Sequence, residues 1–451
     1  MAKDYEDDYE EDYDGYDDYD DYDDRPPVKK KSSSGQTHRK SSSGHTQKRS
    51  SSGTTRKKSS GSSHHAASRK SSGSAKSKRK KKAIVIFAIE IVVLLFLLAG
   101  AYYLFVKMNV TSVGKTNLNV VTTPDSSGTV DLKENEIIIN ETVADNQEMQ
   151  GYRNIALFGV DSREKQLNKN TRSDTIIICS INQDTGEIKL VSVYRDTYLN
   201  LSNDTYNKCN GAYAKGGPAQ AISMLNMNLD MDISDFVTVG FTGLTDTIDA
   251  LGGVQVDVES SVIDHLNNYQ ISMVGKKVGK NAANEDEFAA TAGVDYTPVT
   301  QSGLQTLNGL QATAYCRIRY VGDDFARAER QRRVLMATLD KAKQADIGKL
   351  TKIANSVFKE TYTSLDLSEI IEMLGGIAKY RVVADEGFPE ESMRATGSMG
   401  SKVGSSVLPM DLASNVTWLH GFLFEDTAYT VSEDVQSYSD KIAADVAKNL
   451  R

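Results

Sequence analysis

The chain has 451 residues, with 53 lysines and arginines against 61 aspartates and glutamates, for a formal net charge of −8. That charge averages over opposed blocks, so it selects no partner by itself. Composition does exclude one uniform globular chain, because residues 1–82 carry no periodic apolar pattern and cannot bury a core.

Within that tail, residues 4–24 are almost entirely Asp, Glu and Tyr. Residues 28–82 are basic and Ser-rich, repeating as Lys31-Ser-Ser-Ser-Gly, Lys40-Ser-Ser-Ser-Gly and Arg49-Ser-Ser-Ser-Gly. A tract with no hydrophobic face reads as a disordered, flexible tether. Its basic charge also suits anionic lipid head groups, and its serines suit phosphorylation. No folded nucleic-acid module accompanies it, so no nucleic-acid partner is expected.

From Ala83 to Val106 the chain is apolar apart from Glu90 and a few small residues, long enough for one transmembrane helix. The basic run Lys78–Lys82 precedes it and only Lys107 follows closely. This asymmetry predicts a cytoplasmic N-terminus and an extracellular remainder. The long basic region argues against a cleaved signal peptide. Cys179, Cys209 and Cys316 all lie beyond the anchor. Their odd count leaves at least one unpaired, and their spacing matches no metal motif.

Residues 107–149 are polar and read as a stalk, and one domain is expected over 150–451. Strands are predicted at Asn154–Val160, Thr175–Ile181 and Ile188–Tyr194, the last two joined as a hairpin through Asn182–Gly186. A helix at Pro218–Asn228 is followed by a strand at Phe236–Gly240, a helix at Leu244–Leu251 and a strand at Val254–Val258. Residues 260–300 read as an irregular polar loop. Helices follow at Phe325–Ala345, Gly348–Lys359, Ser368–Ala378, Asn415–Phe424 and Ser432–Asn449. Strands alternating with helices predict an α/β fold with a single mixed sheet flanked by helices.

The chemistry concentrates at a few positions. Asp161 follows one predicted strand and Asp174 begins the next, so adjacent strand ends bring two hard oxygen ligands within reach of one Mg2+ or Mn2+. Arg317 and Arg319 share a face if they lie on a strand. Arg327, Arg330 and Gln331 share a face of a helix. Arg332 and Arg333 beside them read as solvated surface groups. Arg163, Arg172 and the pair Arg195-Asp196 complete the set. Carboxylates with several guanidiniums suit a diphosphate, and the anchor restricts the substrate to one reachable at a membrane surface. An apolar groove for a lipid chain is expected between the sheet and the segments Ala219–Leu229 and Ile347–Leu374.

Seven stretches in order carry a resemblance to a known family. They are Asn154-Ile-Ala-Leu-Phe-Gly-Val-Asp-Ser-Arg163, Arg172-Ser-Asp-Thr175, Ser192-Val-Tyr-Arg-Asp196, Asn210-Gly-Ala-Tyr-Ala-Lys-Gly-Gly217, Leu307-Asn-Gly-Leu-Gln-Ala312, Arg317-Ile-Arg319 and Asp324-Phe-Ala-Arg-Ala-Glu-Arg-Gln331. The segment 150–451 resembles the LytR-CpsA-Psr family of bacterial cell-wall enzymes. Tyr194 stands where that family usually has proline, and Cys209 where it usually has an aliphatic residue.

The resemblance implies a phosphotransferase in a Gram-positive type of envelope. Such enzymes move a teichoic acid or capsule-like glycopolymer from undecaprenyl diphosphate to a peptidoglycan hydroxyl. It implies Asp161 and Asp174 as metal carboxylates. Arg195, Arg317, Arg319, Arg327 and Gln331 are implied as diphosphate-binding groups, with Arg163, Arg172 and Arg330 as neighbours. Asp174, Arg195 and Asp196 are the catalytic candidates, with either acid as a base for the acceptor. Two alternatives stand beside this: a polyprenyl diphosphate hydrolase, and a non-catalytic, membrane-anchored regulator or scaffold.

Overall fold

The computed structural model describes residues 116–123, 135–161, 167, 168, 170–280 and 286–449. The expected tail (1–82), the expected transmembrane helix (83–106), part of the expected stalk and Arg163 lie outside those residues. No helix among the described residues is long and apolar enough to cross a membrane.

The chain begins with β1 (Asn119–Thr123), β2 (Glu136–Asn140), α1 (Glu141–Ala144), β3 (Tyr152–Val160), β4 (Ser173–Asn182) and β5 (Glu187–Val193). Next come β6 (Tyr198–Asn200), β7 (Tyr206–Lys208), α2 (Asn210–Leu229), β8 (Asp235–Gly240), α3 (Phe241–Leu251) and β9 (Val254–Val258). The middle holds α4 (Ile263–Val274), β10 (Lys276–Lys280), β11 (Asp286–Ala289), β12 (Gly303–Leu307), α5 (Gly309–Arg317) and α6 (Asp324–Lys343). Then follow α7 (Ile347–Val357), β13 (Thr361–Thr363), α8 (Leu367–Gly375) and β14 (Arg381–Phe388). The last elements are β15 (Arg394–Ser398), β16 (Ser405–Pro409), α9 (Leu412–Phe424) and α10 (Glu433–Asn449).

Six strands form the central sheet in the order β13-β8-β3-β4-β5-β14. The pairs β3–β8 and β5–β14 are parallel and the other three antiparallel, so the sheet is mixed, as the sequence predicts. The β4–β5 hairpin turns where Asn182 Oδ1 accepts from the backbone N–H groups of Asp184 and Thr185. Gly186 takes the left-handed conformation there, with φ of 73°.

Alternation along the strands separates two faces. Ala156, Phe158 and Val160 join Ile176 and Ile178 in a core shared with residues of α2, α9 and α10. Ile155, Leu157 and Ile177 belong to the other face, with Leu335, Met336 and Leu339 of α6. A further core surrounds the antiparallel β9–β12 pair, joining Val254, Val256 and Leu307 to Leu266 of α4 and Tyr315 of α5.

Several expectations need correction. Residues 260–300 are not one loop, because they contain α4 and the β10–β11 hairpin. Only Leu266, Tyr269 and Gln270 of α4 are buried, so polar residues on the other faces hid its helical period. The stalk reading fails for 136–149, where Ile137, Ile138, Val143 and Met149 are buried in the α2 core. The helix placed at Pro218–Asn228 starts earlier, at Asn210. A break at Gly216 and Gly217, the latter with φ of 65°, lets Pro218 begin the second section. Strand β14 and the β15–β16 hairpin were not foreseen. The three cysteine thiols are free, with Cys209 and Cys316 buried.

Candidate active site

The site grows from one irregularity in the sheet. Antiparallel pairing puts the end of β3, and hence Asp161, beside the start of β4. Gly159 opposes Thr175 and Val160 opposes Ser173, which leaves Asp174 as the extra residue of a β-bulge. A bulge takes a side chain out of strict alternation and re-aims it. Gly159 permits the close approach, since a Cβ there would lie 2.8 Å from the Thr175 Cβ.

Three arginines converge on Asp174. Arg195, just past β5, donates from Nη1 to Oδ1 at 2.6 Å, and Arg319 Nη2 lies 3.4 Å from Oδ2. Arg327 donates from Nη2 to the Asp174 backbone carbonyl at 3.0 Å. Burial alone would raise the Asp174 carboxyl pKa, but the charges of Arg195, Arg327 and Arg319 outweigh it and bring it down to about 2. Burial likewise acts against the Arg195 charge. Asp174, Asp196 and Asp324 reverse that effect, so its pKa is raised and it stays cationic.

Arg317 and Arg319 do not lie on a strand. Arg317 is the last residue of α5, and Ile318 leaves the helix in an extended conformation. Both side chains nevertheless reach the same cavity. The helix-face expectation holds for Arg327 and Gln331 but fails for Arg330. Its Nη2 donates to the carbonyls of Ile318 and Val321, bracing the α5–α6 connection away from the cavity.

Asp196 also fails to line the cavity. It sits behind Arg195, 3.5 Å from Nε, and 3.6 Å from Lys208 Nζ. Cys209 Sγ, at the family-atypical position, reaches the carbonyls of Tyr194 and Arg195 at 3.2 and 3.3 Å and so ties down the Arg195 backbone. Arg332 is not the solvated surface group expected, whereas Arg333 keeps a partly exposed side chain among partly exposed partners. Arg332 is buried and pairs with Asp385 at 2.6 Å, while Arg333 pairs with Glu259 and Glu329.

Asp174 and the three arginines converging on it line one cavity of about 860 Å³. Its charged part carries Asp161, Arg172, Asp174, Arg195, Arg317, Arg319, Arg327 and Gln331. Moving along β3, β4 and β8, the lining becomes Leu157, Ile177, Val237 and Val239. Leu244 of α3 and Val334 and Leu335 of α6 complete the apolar part. On α6 the lining residues Arg327, Gln331, Val334, Leu335 and Thr338 recur at helical spacing, so one stripe passes from charged to apolar. The cavity lies on the α6 face. Helix α2, expected to flank it, packs on the opposite face, and α7 contributes no lining residue.

Sequence reading named no apolar lining residue and missed Phe241 and Cys316. The alternation that sends Phe158 to one face and Leu157 to the other was the available signal for Leu157 and Ile177. Nothing local distinguishes Phe241 from an ordinary helix-start residue.

Asp161 and Asp174 present two carboxylates to this cavity, and Asp174 is held ionised. Among the described residues no group of three or more His, Cys, Asp or Glu is placed to hold a metal. Two carboxylates suit Mg2+ or Mn2+, which take their remaining oxygens from phosphate and water. The donor set therefore fits such an ion.

Taken together, the molecule is a mixed α/β domain whose pocket joins an arginine-rich head to an apolar tail. The chain belongs to the LytR_cpsA_psr family, whose sequence model matches residues 107–411. It is 31% identical over 235 residues to Biofilm regulatory protein A of Streptococcus mutans, covering 49% of this chain and 52% of that protein. It is 28% identical over 246 residues to the polyisoprenyl-teichoic acid–peptidoglycan teichoic acid transferase TagT of Bacillus subtilis, covering 54% and 67%. The matched regions thus span about half to two thirds of these relatives. The crystal structure of protein gbs0355 from Streptococcus agalactiae shares the fold, with a TM-score of 0.50 and 23% identity over 66% of this chain and 96% of that one.

Proposed function

We propose that this protein transfers an anionic glycopolymer, a teichoic acid or capsule-like chain, from undecaprenyl diphosphate to a peptidoglycan hydroxyl. The observation that carries the reading is the single cavity joining five arginines and two carboxylates to an apolar tail. A substrate with a diphosphate head and a polyprenyl chain matches both parts. The teichoic acid transferase relative supports the same reaction class. The apolar run at 83–106 would hold the domain at the outer face of the cell membrane, where such a carrier is reached.

The acceptor oxygen attacks the sugar-side phosphorus, forming the new phosphodiester, and its hydroxyl proton passes to solvent water or to the departing phosphate. The bond from that phosphorus to the bridging oxygen breaks, and undecaprenyl phosphate leaves with the bridging oxygen and its electron pair. Negative charge grows on the non-bridging and departing oxygens, and Arg195, Arg317, Arg319 and Arg327 are placed to neutralise it. A carboxyl with a pKa near 2 is too weak a base to take the hydroxyl proton at neutral pH. The part of Asp174 is to hold Arg195 and Arg319 in place, and with Asp161 it would hold a divalent ion. When bound, that ion would add positive charge at the diphosphate.

The test uses the full chain in detergent with an undecaprenyl-diphosphate glycan, Mg2+ and a peptidoglycan oligomer, followed by mass spectrometry. A phosphodiester-linked adduct is expected, falling at least about 100-fold in Asp174→Ala and in Arg195→Ala. Unchanged transfer in both variants would sink the site assignment. Undecaprenyl phosphate released without adduct would replace transfer by hydrolysis.

A further inference from the structure

We infer that Phe241 and Tyr269 form an aromatic clamp that positions Arg317 so that its hydrogen-bonding edge is free for the diphosphate; this rests on the diphosphate reading above. Arg317 Cζ lies 4.4 Å from the Phe241 ring centroid and 5.5 Å from that of Tyr269. Phe241 is the first residue of α3, Tyr269 lies on α4, and Arg317 ends α5, so three helices meet at this guanidinium.

The neighbouring arginines are held differently. Arg195 and Arg319 direct N–H groups at the Asp174 carboxylate, Arg327 bonds its carbonyl, and Arg330 bonds two loop carbonyls. Arg317 has one charged contact among the described residues, Asp161 Oδ2 at 3.7 Å, beyond hydrogen-bond length. Among the described residues no hydrogen bond engages its guanidinium.

A guanidinium meets an aromatic ring through its face, whereas its N–H donors point outward in its own plane. Aromatic contact therefore restrains a long side chain without occupying its donors. Phosphate recognition by a planar fork needs that in-plane edge. A carboxylate partner would hold the arginine equally well but would compete with the ligand for the same donors. The clamp thus leaves Arg317 readier to accept a phosphate than Arg195, Arg319 or Arg327, whose donors are already engaged at Asp174.

Phe241 lines the cavity, so an effect at that residue alone would also fit a simple apolar wall. Tyr269 is absent from the lining and can influence the ligand only through Arg317 or through the fold. Tyr269→Leu removes the ring and Tyr269→Phe restores it, while Phe241→Leu removes the other ring. The two Leu substitutions are each also combined with Arg317→Ala.

The experiment measures geranylgeranyl diphosphate binding to the full chain in detergent by titration calorimetry, with thermal melts as the control for folding. Tyr269→Leu and Phe241→Leu are each expected to weaken binding about fivefold to tenfold. Tyr269→Phe is expected to bind like the unaltered protein. In the Arg317→Ala background neither Leu substitution should weaken binding further, because the clamp has nothing left to hold.

Losses that persist undiminished beside Arg317→Ala would overturn the clamp while leaving the diphosphate reading intact. An unaltered protein that binds no geranylgeranyl diphosphate would overturn both. Should Tyr269→Leu fail to melt cooperatively, the cycle of Phe241→Leu with Arg317→Ala decides the same question.

Discussion

The two faces of the central sheet use the same strands to opposite ends. On the α2 face, Phe158, Ile176 and Ile178 are almost completely buried, and Tyr213 meets Phe158 edge to face at 5.1 Å between centroids. On the α6 face, the adjacent residues Leu157 and Ile177 line a cavity. Two residues one peptide apart therefore differ in role because the pleat sends them to opposite sides. The filled face supplies stability, and the unfilled one supplies a site.

Truncation should separate the faces most strongly. Phe158→Ala is expected to destabilise the domain by about 3–5 kcal/mol, whereas Leu157→Ala should cost no more than about 2 kcal/mol because its side chain already borders open space. Chemical denaturation of both variants checks this. Equal losses would mean that the α6 face is packed as tightly as the other.

Acid should weaken the packed face before it reaches the charged head. His420 is buried with its ring stacked on Tyr429 at 3.6 Å, and its Nε2 lies 3.0 Å from the Leu229 carbonyl oxygen. Burial, only partly opposed by the Leu229 carbonyl and Asp426, lowers its pKa to about 4. The unfolded chain then takes up the proton first. Stability falls as pH drops from about 6.5 to about 4, by about 3 kcal/mol in all. His420→Gln should flatten that slope. Asp174 has a dependence of the same sign in a lower window: its contribution is present above its ordinary carboxylate pKa and disappears only as pH falls through about 2. Identical pH slopes in the His420→Gln variant and the unaltered protein would remove the histidine from this account.

The smallest effect on stability is expected from filling the cavity. Val237→Trp places bulk in the apolar part of the lining, level with Leu157 and Ile177, and because the cavity has room for it the effect on the melt should stay within about 1 kcal/mol. Binding of geranylgeranyl diphosphate should fall while binding of inorganic diphosphate remains. Loss of both ligands together would show that the head and tail of the cavity are not separable.

Much of this arrangement was legible from local pattern. The β-branched runs and the Asn182–Gly186 turn identified the hairpin, and the period of 325–345 identified α6. Consecutive strand ends brought Asp161 and Asp174 together. The misreadings share a cause. Helix α4 buries a narrow stripe, so its period was diluted by polar residues. Asp196 follows Arg195 directly yet does not line the cavity, because the chain turns at these two residues, closed by the Thr197 N–H donating to the Tyr194 carbonyl at 2.9 Å. Arg332 looked like part of a solvated basic run until Asp385, brought in by β14, gave it a buried partner.

The sequence by itself determined the mixed α/β class, the order of the motifs and the presence of arginines and acids suited to a diphosphate. Periodicity and turn chemistry are local, so they survive in one dimension. Tertiary structure decided which of those charges act at the cavity and which brace it. Arg327 and Gln331 face the ligand space, while Arg330, between them, caps loop carbonyls. It also decided that Phe241 and Tyr269, distant in sequence from Arg317, meet its guanidinium. The physical reason is that a charged side chain takes its role from its nearest partners. Here those partners arrive from other helices and strands only once the cores have closed.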